Sequence, residues 1–514
     1  MKLPYLIVTL ASIAAAEVRR YTFDIYNKDI APDGVVRSTV LVNGEYPGTL
    51  ITGNKGDTFE ITLNNKLTSD SMDLPTAIHW HGLFQAKTSE DDGPAGVNQC
   101  SILPNNSYTY RFTVPDQAGT WWYHSHHRAQ YVDGLKGALV IYNPEDPHKK
   151  LYDVDDASTI LFMTDWYRNC SHDIVPKLFS QGKEPVPDSG LINGKGGNLN
   201  HVVTVTKGVR YRFRIINSSA MMAFRVSFDG HEFQVIEVDG VDHYPLRAKS
   251  LEIYPGQRYS VVLTANQNIG NYFIRTQMIN GPSSIETRAI LRYSGAPIKV
   301  PTSSDNGGSD RMKEEDLSPL FFDKALSDPN VKADVTINLK FTKTVGATGN
   351  SIWTINNVDY QTPMKPLLYN ILRENATVQK DFLRASNVYV LNKVNGIVDL
   401  VIEGSAVGFK HPFHLHGHVF SVLDYAEKDK LAKKRGPVIR DVHHIGGSRE
   451  TLRFRADNPG TWFLHCHIDW HLEQGLAVTF VEHPKLIRET VKPRDEWFQT
   501  CDKWFDFVAK NGMH

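Results

Sequence analysis

The sequence predicts an all-β protein built from three β-sandwich domains, and three observations predict it. Short alternating or β-rich runs, separated by Gly, Pro, Asn and Asp, fill most of the chain. The 514 residues suit about three domains on a prior of roughly 150 residues each. Paired histidines gather in the first and last parts of the chain, and the middle part has only scattered ones. Hydrophobic residues make up 41% and charged residues 22%, as in soluble globular proteins. The formal net charge of -1 supplies no electrostatic footprint for nucleic acid or an anionic membrane.

In chain order, residues 1–16 read as a secretory signal. Lys2 gives the positive charge, residues 3–13 the apolar core and Ala14-Ala15-Ala16 the small residues before a cut. The apolar run is too short to span a bilayer, and no later segment is long and apolar enough. A secreted chain starting near Glu17 is expected. The first domain, 17–147, holds strand-like runs at 21–26, 36–42, 58–63, 108–114 and 138–142 and closes at Asn143-Pro144-Glu145-Asp146-Pro147. The second, 148–297, holds runs at 202–205, 211–216, 233–238 and 259–263. Residues 297–316 read as a linker. The third domain, 298–514, is more helical around 364–382 and then returns to strands.

Four histidine pairs share one spacing: His79-Trp-His81-Gly, His124-Ser-His126, His414-Leu-His416-Gly and His465-Cys466-His467. A strand sends residues i and i+2 to one face, so each pair presents two imidazoles together. Cys466 then faces away from His465 and His467. Eight imidazoles converging between the first and last domains suffice for three metals at two or three ligands each. His411, Cys466 and His471 add two imidazoles and a thiolate, the ligand set of a blue-copper electron-transfer site. One such pair alone would read as ordinary core or surface histidines. A zinc hydrolase needs one open site with about three ligands and would leave most of these histidines idle.

With these motifs the chain resembles the multicopper oxidases, and within them the fungal laccases of basidiomycete type. The resemblance runs from about Arg19 to Pro484. It is dense at Leu41-Val-Asn-Gly-Glu-Tyr-Pro-Gly, Ile51-Thr-Gly-Asn-Lys-Gly-Asp, Asp116-Gln-Ala-Gly-Thr and Gly190-Leu-Ile-Asn-Gly-Lys-Gly. It implies three cupredoxin-like Greek-key sandwiches and four copper ions. His79 and His414 would bind the type 2 copper, and His81, His124, His126, His416, His465 and His467 the type 3 pair. His411, Cys466 and His471 would bind the type 1 copper near the surface, with an exposed His471 or His411 as the electron entry. Leu476 falls at the axial position, where a leucine cannot ligate, so the site should be fairly oxidising. The implied reaction is one-electron oxidation of phenols or aromatic amines coupled to four-electron reduction of O2 to water, by a secreted monomer.

The acids are read two ways. Asp92, in Glu90-Asp91-Asp92-Gly93-Pro94, matches the family's acid beside the trinuclear cluster, and is also a usual turn residue before Gly-Pro. Asp469 orients a ligand histidine or caps the turn that follows. Asp188 is similar to the laccase acid that takes a phenol's proton, or is a loop aspartate. Glu184 resembles the glutamate that iron-oxidising members place near the type 1 copper, which raises Fe(II) as a substrate. The companion acid of that subfamily is replaced by Val407. A copper-binding electron carrier without oxygen turnover needs only the type 1 set and leaves the four pairs unexplained.

With Cys466 assigned to metal, Cys100, Cys170 and Cys501 leave one pair and one free thiol. The resemblance implies a Cys100–Cys501 bridge and a free Cys170, expected to be buried. The family's second bridge is absent, since Val132 and the run 217–220 carry no cysteine. Sequons stand at Asn105, Asn169, Asn217 and Asn375, with Asn217 expected to be too buried for use. His127 and His418 are expected to bind no metal, and His443-His444 reads as a loop pair without one.

Overall fold

The computed structural model describes residues 16–197, 201–305, 310–404, 409–426 and 432–512. The expected signal segment (apart from Ala16) and Val407 lie outside them. The fold is three cupredoxin-type sandwiches. The first packs a four-stranded sheet (Arg37–Val42, Val18–Ile30, Thr58–Asn65, Ser107–Thr113) on a second one (Ile51–Asn54, Lys136–Tyr142, Gly119–Ser125, Ile78–His81). The strand Thr58–Asn65, paired on both sides, alternates buried and half-buried residues, so Phe59, Ile61 and Leu63 point inward by the two-residue period. Phe23 of one sheet meets Tyr123 of the other at 5.0 Å between ring centres.

The second and third sandwiches each pair a six-stranded sheet with a five-stranded one. In the third, the five-stranded sheet runs Val388–Leu391, Ala477–Glu482, Gly460–Cys466, His411–Leu415, Val442–Ile445. Its central pairing sets His414 opposite His465 and Phe413 opposite Cys466. The matching pairing in the first domain sets His79 opposite His124. Two ladders from domains far apart in sequence thus present histidines toward one another.

The C-terminal helix Asp495–Asn511 leaves the third domain and closes the core of the first. Trp497, Cys501 and Trp504, at helical spacing, are its buried residues and join the first domain's core cluster. Trp497 Nε1 donates to the Asn98 carbonyl, and the Cys100–Cys501 disulfide stands beside it. Cys170 is free but half-buried rather than buried, standing just before the helix Ser171–Gln181 without capping it through its side chain. Where the second bridge is missing, hydrogen bonds join the same two segments. Tyr131 Oη donates to the Ser219 carbonyl and Lys136 Nζ to that of Ser218.

Two expectations need correction. The stretch 297–316 is not merely a linker. Its end buries Glu314 against Arg440, His443 and His444. The latter two are not a loop pair, since they lie on the strand Val442–Ile445. Asn217 is fully buried, with its amide donating to the Met222 and Ile253 carbonyls. Among the described residues no helix is long and apolar enough to cross a membrane.

Candidate metal centre

The paired histidines meet at the seam of the first and third domains. His79 Nε2 and His414 Nε2 are 3.4 Å apart. His416 Nε2 and His465 Nε2 are 3.1 Å apart, and both group with His126. His467 Nε2 lies 3.2 Å from His81 Nδ1, and both group with His124. All eight are buried. The eight imidazoles gather in overlapping groups, with His81 close to His79 and His414 as well as to His124 and His467.

The backbone fixes which nitrogen faces inward. Nδ1 of His79 is held by the Asp92 carbonyl at 2.8 Å and that of His414 by the Asp441 carbonyl at 3.0 Å. Nδ1 of His124 and His465 are held by the Ser125 and Cys466 carbonyls. Nδ1 of His416 meets the Asp92 carboxylate at 2.9 Å. Each ring thus turns Nε2 to the centre, the arrangement that outer hydrogen bonds impose on metal-binding histidines. His81 is turned round: its Nε2 approaches the Asp441 carboxylate at 3.6 Å, and its Nδ1 faces inward. Nε2 of His124 and His126 are sealed from solvent without a hydrogen bond among the described residues. Orphaned donors of this kind fit a metal and would otherwise be costly.

Burial, then the neighbouring imidazoles, push His81, His124, His126, His411, His414 and His416 far below the ordinary histidine value. Burial holds His465 at about 3. These rings are thus neutral imidazoles, the form that ligates. Gly256 makes room for it. Its φ is +84°, and a Cβ there would come within 2.9 Å of the His467 ring.

Behind the cluster, Cys466 Sγ lies 3.7 Å from His411 Nδ1 and 3.6 Å from His471 Nδ1, which are 3.1 Å apart. These three atoms form a second donor set, also buried. Leu476 is fully buried and returns its backbone to both arms, accepting from Cys466 N and donating to the His471 carbonyl. Trp353 packs against the His411 and His471 rings, 4.9 Å from each. His411 and His471 are 2% and 1% exposed, so neither is the open entry that was expected. Glu184 covers His471 instead, with Oε1 3.3 Å from Nε2 and 2.8 Å from Lys343 Nζ. Burial pushes the Glu184 carboxyl up, but His471 and Lys343 outweigh it and hold the group at about 2.

The other acids separate clearly. Asp92 touches both His79 and His416 and is fully buried, and burial pushes its carboxyl up. Asp469 opens the short helix Asp469–Glu473, donating its N–H to the Ala220 carbonyl. Its carboxylate lines a small cavity with His124, His126, His465 and His467 and bonds none of them. Asp188 is exposed, accepts from Arg168 N at 2.8 Å and makes no contact with either donor set. His127 bonds Ser101 and His418 pairs with Glu482 at 3.0 Å, so both are structural. Sequence reasoning passed over Asp441, Lys343 and Trp353. Only Asp441 carried a signal, as an acid beside Arg440 in a strand-forming run.

The profile described as multicopper oxidase matches this chain in three parts, at residues 24–146, 157–296 and 360–486. The chain is 42% identical to laccase-2 of Agaricus bisporus, with 97% of each chain covered. It is 44% identical to laccase-4 of Thanatephorus cucumeris over 92% of this chain and 91% of that one. Among solved structures it resembles the laccase of Botrytis aclada, with a TM-score of 0.83, 30% identity and coverage of 96% and 93%. It also resembles Fet3p, a multicopper oxidase that functions in iron import, with a TM-score of 0.84, 27% identity and 95% of each chain covered.

Proposed function

Since this chain belongs to the multicopper oxidase family, we propose that it works as a laccase with four coppers, held by the residues described above. It is a copper-binding oxidoreductase of laccase type, acting on phenolic substrates and O2. His79 and His414 would hold one ion, and His81, His124 and His467 a second. His126, His416 and His465 would hold a third, and His411, Cys466 and His471 a fourth, with the buried, non-ligating Leu476 beside them. The observation that carries this reading is the run His465-Cys466-His467. It contributes to two buried donor sets at once, through bonds of one short chain segment. Bound copper supplies one-electron oxidation at the sulfur site and four-electron reduction of O2 at the imidazole cluster.

The chain's own residues do the rest. Cys466 and its two neighbours give a covalent path between the donor sets. Glu184, kept ionised on His471, is placed to accept the proton that a phenol releases on oxidation. Asp92 fixes two ring orientations and is the acid nearest to where oxygen would take up protons. Asp469 lines the small cavity beside the cluster as a further proton store. Asp188, exposed on its loop, remains our candidate phenol contact. Aromatic amines fit the same chemistry. A secreted monomer with domains at 17–147, 148–297 and 298–514 is the form we expect, and the sheet pairs fall within those limits.

The alternative reading, a soluble ferroxidase, is favoured by one observation: a carboxylate seated on the outer histidine of the sulfur site. Oxygen uptake on the copper-loaded protein separates the two. Faster turnover of a dimethoxyphenol than of Fe(II), with four coppers per chain, is the expected result. A strong preference for Fe(II) would overturn laccase, and one copper per chain without oxygen uptake would overturn the enzyme.

A further inference from the structure

We propose that Glu314, His443 and His444 of the third domain form a separate site for a divalent transition-metal ion such as zinc, beside Tyr254 of the second domain. This goes beyond the copper chemistry and shares no ligand with it.

His443 and His444 are neighbours on the strand Val442–Ile445. A regular strand sends neighbours to opposite faces. Here the two rings are instead 5.1 Å apart and both Nδ1 atoms turn to one carboxylate. His444 Nδ1 lies 3.1 Å from Glu314 Oε2, and His443 Nδ1 lies 3.5 Å from Oε1. A tetrahedral ion with N and O donors at about 2.1 Å sets those donors roughly 3.4 Å apart. Nδ1 of both histidines and Oε2 of Glu314 are sealed from solvent, and none makes a hydrogen bond among the described residues. Three buried ligand atoms turned to one another without a hydrogen bond between them suit a shared cation.

The surroundings fit. Glu450 Oε2 takes His443 Nε2 at 2.7 Å, which leaves Nδ1 as the ligating atom. This is the carboxylate–histidine–metal pattern seen around zinc. Tyr254 of the second domain stacks on His444 at 4.1 Å and 5°. Arg440 engages Oε1 of Glu314 and the Asp239 carboxylate, leaving Oε2 free of it. Lys410, over Tyr254, is the other cation nearby. Two imidazoles and a carboxylate suit zinc with a water as fourth ligand.

The test is zinc uptake by the copper-loaded full chain, read by elemental analysis after desalting and by calorimetry. One retained zinc per chain is expected, lost in His444→Ala and in His444→Gln. Glu450→Gln, a positioning change, should weaken it about 10- to 100-fold. Copper content and oxygen uptake should stay unchanged in all three, which shows that the variants fold. If the wild type retains no zinc, or His444→Ala retains it, the site is only a protonated His443 between two glutamates and the proposal falls. Failure of the laccase reading would appear separately, in oxygen uptake.

Discussion

Oε1 of Glu184 sits 3.3 Å from Nε2 of His471, so the outer edge of the sulfur donor set ends in a carboxylate rather than in solvent. The same oxygen binds Lys343 Nζ, which keeps the carboxylate ionised and in place. A proton or a cation arriving at this site meets Glu184 first.

Replacing Glu184 by Gln removes that acceptor while keeping its shape. Turnover of a phenol should fall roughly 10²-fold, while a donor that releases no proton should be oxidised at nearly the wild-type rate. Oxygen-electrode rates on the two donors check this, and equal losses on both would refute a proton role.

Glu184 also carries a stability signature. Its folded-state value of about 2 lies below the ordinary 4.5. A depressed carboxylate stabilises the fold above its unfolded value and loses that contribution as pH falls toward the folded value. Between about pH 4.5 and 2, wild type should therefore lose more stability than Glu184→Gln. Melting curves across that range read the difference directly.

Asp92→Asn should spare the sulfur site and damage the cluster. The asparagine keeps the backbone carbonyl on His79 but weakens the carboxylate contact to His416. Loss of such an outer contact typically costs 10–100-fold in activity or metal affinity. The expected result is slowed oxygen reduction with the visible copper–thiolate absorption intact.

Leu476→Met puts a thioether where a buried, non-ligating side chain stands. The axial ligand tunes the potential of such a site. A lower midpoint potential and slower oxidation of poorly reducing phenols are expected. Redox titration of the absorption band measures this, and an unchanged potential would remove Leu476 from the axial place.

The double change Cys100→Ser and Cys501→Ser should lower stability by roughly 2–4 kcal/mol. Because the bridge fastens the C-terminal helix to the first domain's core, that helix should loosen first. Amide exchange in 495–511 should rise before the cluster loses copper.

The local chemistry of this protein was legible in its sequence, because strands repeat every two residues. That period alone put His79 with His81 and His465 with His467, and turned Cys466 to the other side. The sandwich strands at 58–63, 108–114 and 233–238 followed from the same alternation. Contacts between distant segments leave no such trace. Which ring nitrogen faces the metal depends on carbonyls that only the folded ladders bring within 3 Å, as at Asp441 for His414. Glu184 and Asp188 were both candidate acids for the substrate side, one pointing to iron and one to phenols, and packing set Glu184 on His471 and left Asp188 in solvent. Glu314 looked like linker charge until folding buried it against His443 and His444. The sequence by itself determined the donor types and their local spacing. Packing settled which donors lie together, because it alone sets distances between residues hundreds of positions apart.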